Sequence, residues 1–277
     1  MNLLAWDCFT LRVRNDIMAP YYQLRIFFYW KTEGQLVYYN HGEYIMLILQ
    51  ENTLSDSAPC PYLPDRLMRY EYFFAMAVGA PDLEKLLAAG WRKFGYYYFR
   101  PSCDGCRQCI PVRIPVEEFS PSKSQRRTLR KNADVQVEFR ELMFTEEVYQ
   151  IYFEHSISRF GEASDLDDFL FSFYQQSCPA MQSEYYIDDE LKAVGFLDVS
   201  SMGISTVYFI YRNDITRRGP GIFSILREIE FTRSMGLPYY YLGYYVPGCS
   251  RMEYKSGFKP LEAYSWDNEK WEHFCDQ

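Results

Sequence analysis

The sequence predicts an α+β fold, with a length that suits two modest domains. Three observations predict it. Strand-like runs at Tyr185 to Ile187, Lys192 to Val199 and Ser205 to Tyr211 are separated by Asp188-Asp189-Glu190 and by Gly203. A glycine-bearing segment then opens a helical pattern from Ile222 to Met235, which stops at Gly236-Leu237-Pro238 before a Tyr-rich strand, Tyr239 to Tyr244. Upstream, four of the eight cysteines stand between Cys60 and Cys109.

The elements follow in order. Residues 1 to 45 are rich in Tyr and Phe without a helical or strand period and are assigned no role; the family resemblance set out below implies an extension or a wrong start. From Leu47 an apolar strand leads into the turn-rich loop Ser55 to Pro64, and a helix is expected from Asp82 to Ala89, stopping at Gly90. An aromatic strand, Tyr96 to Arg100, precedes the cysteine loop, and a further strand runs from Val112 to Val116. A basic helix over Ser122 to Lys131 has little apolar stripe and should be exposed, whereas helices over Thr145 to Phe160 and Asp165 to Gln176 look like packing elements. The same resemblance implies a cysteine-loop domain at 46–134 and a sheet domain at 135–277. Antiparallel strands followed by a glycine-led helix and another strand fit an acyltransferase-type sheet, with a donor at the helix N-terminus.

Composition narrows the function classes. A chain of 277 residues with 48% hydrophobic and 24% charged residues can build a substantial core. No run of about 18 apolar residues appears, and Tyr44 to Leu49 is too short to cross a bilayer, so a soluble cytoplasmic protein with no membrane partner is expected. Eight cysteines in a chain of this size suit metal or redox chemistry better than a disulfide framework. A net charge of −8 argues against a nucleic-acid binder over the whole surface, yet Arg92 to Lys131 holds ten cations against three acids, a basic island on an acidic chain.

Within that island, Cys103, Cys106 and Cys109 form C-x-x-C-x-x-C, a spacing that lets thiolates turn toward one centre, and Cys60 supplies a fourth sulfur. Zinc or an iron–sulfur cluster could close on them, and free or redox-active thiols are the alternative. Arg113 stands on a short strand between Pro111 and Pro115, where its guanidinium would bind a carboxylate or simply complete a salt bridge. Arg126, Arg127, Arg130 and Lys131 put four cations within six residues, either a solvated face or a hold on an RNA backbone. Arg217-Arg218-Gly219-Pro220-Gly221 precedes the Ile222 helix and leaves backbone N–H groups for a phosphate or an acyl oxygen. A coenzyme A loop usually reads Gln or Arg, two residues, Gly, one residue, Gly or Ala. Here Thr216 takes the first position and Pro220 removes an N–H, which weakens that reading.

Five blocks, in order over residues 47 to about 264, carry a wider resemblance: Cys60-Pro61-Tyr62-Leu63-Pro64-Asp65; Gly90-Trp91-Arg92 with Tyr98-Phe99-Arg100-Pro101 and the cysteine loop; Ile110 to Val116; Gln125-Arg126-Arg127 with Asn132-Ala133-Asp134; and Tyr241-Leu242-Gly243-Tyr244 through Met252-Glu253-Tyr254-Lys255 to Pro260. Together they resemble the bacterial aspartate/glutamate leucyltransferases, relatives of the arginyl-tRNA-protein transferases. The resemblance implies an acetyltransferase-like (GNAT-type) C-terminal domain that accepts the aminoacyl end of tRNA and passes the amino acid to proteins beginning with Asp or Glu, marking them for degradation. It implies no nucleotide cofactor. Arg113 and Lys255, with Tyr244 beside them, are then the expected readers of the acidic first side chain, because selectivity over Asn or Gln needs a positive charge. Arg218, Gly219 and Gly221 are expected at the tRNA 3′ end, Arg126, Arg127, Arg130 and Lys131 on the acceptor stem, and no general base is assigned. The chain departs from the family pattern at Arg218-Gly219-Pro220-Gly221, usually Arg-Ser-Leu-Gly, and at His155 to Gly161, commonly an Arg-His pair, which leaves Leu and Arg open as donor. A coenzyme A-dependent N-acetyltransferase and a non-catalytic metal- and RNA-binding redox module are the competing classes.

Overall fold

The computed structural model describes residues 46–274, so the expectation for residues 1–45 lies outside the described residues. The chain order is β1 (Leu47–Leu54), β2 (Ala58–Pro59), β3 (Leu67–Met68), β4 (Tyr70–Met76), α1 (Ala80–Ala88), β5 (Arg92–Phe94), β6 (Tyr97–Pro101), β7 (Ile110–Pro115), α2 (Lys123–Lys131) and β8 (Gln136–Glu141). It continues through α3 (Glu146–Phe160), α4 (Leu166–Phe169) with a π turn at Leu170–Tyr174, β9 (Ala180–Ile187), β10 (Glu190–Val199), β11 (Gly203–Tyr211), a 3-10 turn at Asn213–Arg218, α5 (Pro220–Ser234), β12 (Tyr239–Tyr245), a second 3-10 turn at Glu253–Gly257, β13 (Glu262–Ser265) and β14 (Lys270–His273). The mixed α and β content matches the expected class. Seven strands were not anticipated: the two-residue β2 and β3, and β4, β5, β8, β13 and β14. In β4 the run Tyr-Glu-Tyr-Phe-Phe-Ala-Met buries side chains on both faces, so the alternation that marks a half-exposed strand is missing.

Local chemistry explains the helix limits. Ser122 caps α2 through a capping box with Gln125, and Arg130 and Lys131 sit in its last turn, where cations suit the helix dipole. Thr145 caps α3, which ends on Gly161 in the left-handed region. Helix α1 starts at Gly79 with a proline in its first turn and buries Leu83 and Leu87, four residues apart on one face, for about 2 kcal/mol each.

A four-stranded sheet has the order β1-β4-β6-β5, and an eight-stranded sheet has the order β14-β13-β7-β12-β11-β10-β9-β8. Strand β7, from the cysteine-bearing segment, therefore lies inside the larger sheet, antiparallel to both β12 and β13. An aromatic core that includes Phe94, Tyr97, Phe99, Phe173, Phe196 and Tyr244 joins the two sheets. A second core, including Val112, Ile114, Leu197, Ile225, Ile229 and Tyr240, lies between the larger sheet and α5. No described helix is long and apolar enough to cross a membrane.

One feature of the sheet makes room for a site. Strands β11 and β12 pair in parallel only at Gly203↔Tyr239, Ile204↔Tyr240 and Ser205↔Tyr241, after which both continue without pairing to each other. Where the two strands stop pairing, the interior opens.

Candidate active site

A cavity of about 430 Å³ fills that divergence. Ser205 to Phe209 of β11 and Leu242 to Tyr244 form part of its wall, Gly219 to Ile222 at the start of α5 line another part, and Arg92, Cys109, Met252 and Lys255 line the rest. The main wall is apolar and aromatic, with few charges, so each charged group inside it is strongly felt.

The α5 region follows from its sequence. Gly219 takes φ +70°, a left-handed value that a side chain would strain, and Pro220 then fixes the first helical residue. Pro220 has no N–H, so Gly221 and Ile222 supply the first free backbone donors, in a turn without intrahelical acceptors. Under the helix, the Glu228 carboxyl accepts hydrogen bonds from Ser183 (3.0 Å), Tyr185 (3.2 Å) and Tyr240. Burial pushes Glu228 up to about 7, against the pull of those hydroxyls. A Cβ on Gly195 would stand 2.4 Å from Ser183 Oγ and 2.7 Å from Glu228 Oε1, so glycine there leaves space for this anchor.

Helix α2 ties different parts of the site together. At its start Gln125 donates to the Gly257 carbonyl (3.1 Å), in the turn that carries Lys255. At its end Asn132 donates to the Arg218 carbonyl (3.0 Å), and Lys131 donates to that of Arg217. Arg126, Arg127, Arg130 and Lys131 are exposed, as expected, and belong to the helix that braces the loop before α5. Arg218 itself is held by Asp134 at 2.7 and 2.9 Å. None of these five cations lines the cavity, whereas Gly219 and Gly221 do.

Of the expected carboxylate readers, Lys255 and Tyr244 come together and Arg113 stands apart. Lys255 is 4% exposed, and its Nζ donates to the Tyr244 carbonyl at 2.6 Å. Burial, then the charge of Arg92, pulls Lys255 down to about 7. The Tyr244 hydroxyl is spent on the Gly90 carbonyl (2.8 Å). Arg113 is outside the cavity lining. Its Nε reaches Glu262 at 2.7 Å, and its guanidinium lies over Tyr239 and Trp271, 3.6 and 4.3 Å from the ring centroids. Of the two expectations for Arg113, the salt bridge is formed: its carboxylate is Glu262, on β13 beside it in the sheet.

Two residues that the sequence reading did not single out for a role also line the cavity. Arg92 appeared there only as the start of the basic island and within a matching block, and His155 only as the start of a departure from the family pattern. The His155 Nδ1 stands 3.3 Å from the Tyr211 carbonyl, which can only accept, so Nδ1 carries the proton and Nε2 is left as an acceptor. Burial first, and then Arg159, lower His155 to about 4, so the ring is neutral at pH 7.

The cysteine loop also reaches the site, since Cys109 lines the cavity while Cys60, Cys103 and Cys106 pack against the same aromatic core. Cys103 Sγ accepts from the Arg69 N–H (3.4 Å) and donates to the Arg69 carbonyl (3.6 Å). Among the described residues no group of three or more His, Cys, Asp or Glu side chains could hold a metal ion. Burial, and then the neighbouring Cys103, Cys60 and Cys106, push the Cys109 thiol up, so the four sulfurs stand near one another.

A cavity walled by a splayed sheet, with free helix-start donors in one wall and a buried cation in another, suits the joining of two polar substrates, and the protein is a transferase. The chain belongs to the arginine-tRNA-protein transferase family: residues 58–127 match the description "Arginine-tRNA-protein transferase, N terminus" and residues 145–265 match "Arginine-tRNA-protein transferase, C terminus". It is 33% identical over 210 residues to the aspartate/glutamate leucyltransferase of Hahella chejuensis, covering 74% of this chain and 90% of that protein. It is 35% identical over 209 residues to the enzyme of the same name from Chromobacterium violaceum, covering 74% and 86%. Among solved structures, FemX aligns with a TM-score of 0.42 at 12% identity, over 68% of this chain and 64% of FemX, a likeness too distant to carry an argument.

Proposed function

We propose that this protein transfers leucine from leucyl-tRNA to the N-terminal amine of proteins that begin with Asp or Glu, in the cytoplasm, on an acetyltransferase-like (GNAT-type) sheet. The observation that carries the reading is the joint lining of one cavity by free backbone donors at Gly221 and Ile222 and by the buried cation Lys255. Leucine is favoured over arginine because the relatives reported above are named leucyltransferases.

The aminoacyl ester is already activated, so the protein's task is alignment and charge stabilisation. The neutral α-amine of the acceptor adds to the ester carbonyl. The oxyanion that forms is stabilised by the Gly221 and Ile222 N–H groups in the first turn of α5, which Glu228 keeps docked on the sheet. Collapse breaks the bond to the ribose oxygen, which leaves with the proton lost by the amine, and an amide remains. His155 Nε2, neutral and acceptor only, suits the ribose hydroxyl or the amine. Lys255 faces the acidic first side chain of the acceptor. Outside the cavity, Arg126, Arg127, Arg130 and Lys131 hold the acceptor stem.

Zinc or an iron–sulfur cluster on Cys60, Cys103, Cys106 and Cys109 would require these thiols to draw together, and metal analysis of the purified protein tests that. For the activity, labelled Leu-tRNA and Arg-tRNA are incubated separately with peptides starting with Asp, Glu, Asn and Ala, and the products are identified by mass spectrometry. Leucine on the Asp and Glu peptides is expected. A protein that leaves every peptide unmodified with both donors does not have this function.

A further inference from the structure

Arg92 opens β5, lines the cavity and is only 8% exposed. One of its nitrogens, Nη1, donates to the Trp91 carbonyl at 2.6 Å. The other two, Nε and Nη2, are buried without a hydrogen-bond partner. They lie on one edge of the guanidinium, the edge whose parallel N–H bonds match the two oxygens of a carboxylate.

The nearby acids do not fill this edge. Asp198 is held by Lys93 at 3.1 Å. Glu84 accepts from the Tyr241 hydroxyl with one oxygen and from Ser200 with the other, each at 2.6 Å. What surrounds the guanidinium instead is aromatic, with the rings of Tyr244 and Tyr241 centred 5.5 and 5.6 Å from it. Lys255, on the same cavity, adds a second positive charge and no compensation. Asp198 and Glu84 act on Arg92 but do not outweigh its desolvation; a pair of desolvated cations only partly compensated is costly in a resting protein, and an anionic ligand offsets that cost.

We propose that Arg92 is the specificity-determining residue that grips the carboxylate of the acceptor's first side chain through its Nε–Nη2 edge, with Lys255 as the second cation. This rests on the transfer reading above and replaces Arg113 in it. An amide in place of the carboxylate would present an N–H₂ group to one of the two donors, so Asn and Gln fit the edge poorly. The burial that lowers Lys255 also supports the assignment, since a bound carboxylate would restore its positive charge.

The test uses the full chain with Leu-tRNA and peptides that differ only in Asp or Asn at the first position. Arg92→Gln should lower kcat/KM for the Asp peptide by at least about 30-fold, the cost of removing one partner from a desolvated charge pair, with the Asn peptide changed by less than about threefold. Its melting temperature should not fall, because an unpaired buried charge has been removed. Arg92→Lys, which keeps the charge and loses the fork, should raise KM for the Asp peptide with little change in kcat, and it is the measurement to use if Arg92→Gln does not fold. Equal losses on both peptides, or Asp-peptide kinetics in both variants within threefold of wild type, would overturn the proposal. Absence of transfer by the wild type would refute the transfer reading itself.

Discussion

Arg113 and Arg92 are two arginines of nearly equal burial, at 9% and 8% exposure, and both guanidiniums lie within 6 Å of the Tyr241 ring. Arg113 has Glu262 at 2.7 Å, the Tyr241 hydroxyl at 3.3 Å and two more aromatic faces. Arg92 has a single backbone carbonyl and an empty donor edge. The first is a component of the sheet, joining β7 to β13. The second carries a desolvation cost that the nearby Tyr244, Tyr241, Asp198 and Glu84 offset only in part, and such a cost is the mark of a group kept for a ligand. Lys255 belongs with Arg92 in this contrast, and Glu228, with its three hydroxyl donors, belongs with Arg113.

The largest effect should come from reversing charge on the ligand side. Lys255→Glu is expected to lower kcat/KM for an Asp-initiated peptide by about 1,000-fold or more, since like charges placed together in a dry site cost several kcal/mol, while tRNA affinity stays within about threefold. A residual rate above one-tenth of wild type would remove Lys255 from the carboxylate site. On the structural side, Arg113→Ala should cost about 3 kcal/mol in denaturant unfolding by stranding Glu262, and Arg113→Ala/Glu262→Ala should recover part of that loss. Discrimination between Asp and Asn peptides should survive in Arg113→Ala below its melting point. Loss of discrimination would collapse the distinction between the two arginines.

Lys255 also makes a smaller, pH-dependent contribution. Its folded value of about 7 lies below the 10.5 of the unfolded chain, so the unfolded chain holds more protons between those pH values, and stability rises with pH across that window. Lys255→Met should abolish this rise and stabilise the protein at pH 6 by about 2 kcal/mol, read from denaturation midpoints at pH 6 and pH 10. An unaltered pH profile would show that Lys255 is not the group being charged. Smallest is the expected change on α2, where Arg126→Ala/Arg127→Ala should weaken tRNA binding and reduce its salt slope by at most about two units. With no change in slope, the exposed cations of α2 are only a solvated face.

Much of the local structure was legible in the sequence. The helix over Ser122 to Lys131, its exposure, the glycine-led helix before the Tyr-rich strand, and the strands on either side of Gly203 all appear close to their expected limits. Of Arg113, Lys255 and Tyr244, expected together as readers of the acidic side chain, Lys255 and Tyr244 line one cavity and Arg113 lies outside it. The missed strands were the fully buried aromatic run of β4 and short segments such as β5 and β14, whose residues carry no period of their own. The spacing of Cys103, Cys106 and Cys109 was legible in the sequence, but the nearness of Cys60 to them depends on how its loop packs against the aromatic core.

By itself, the sequence determined what is encoded over a few residues: caps, turns, helical faces, and the proline and glycine that begin α5. Only the tertiary structure decided which buried cation is satisfied and which is left open. The partner of Arg113 lies 149 residues away along the chain, and the divergence of β11 from β12 depends on strands that never touch in sequence. Arginine carries the same charge in either setting, and its role is set by whether folding brings an acid to it.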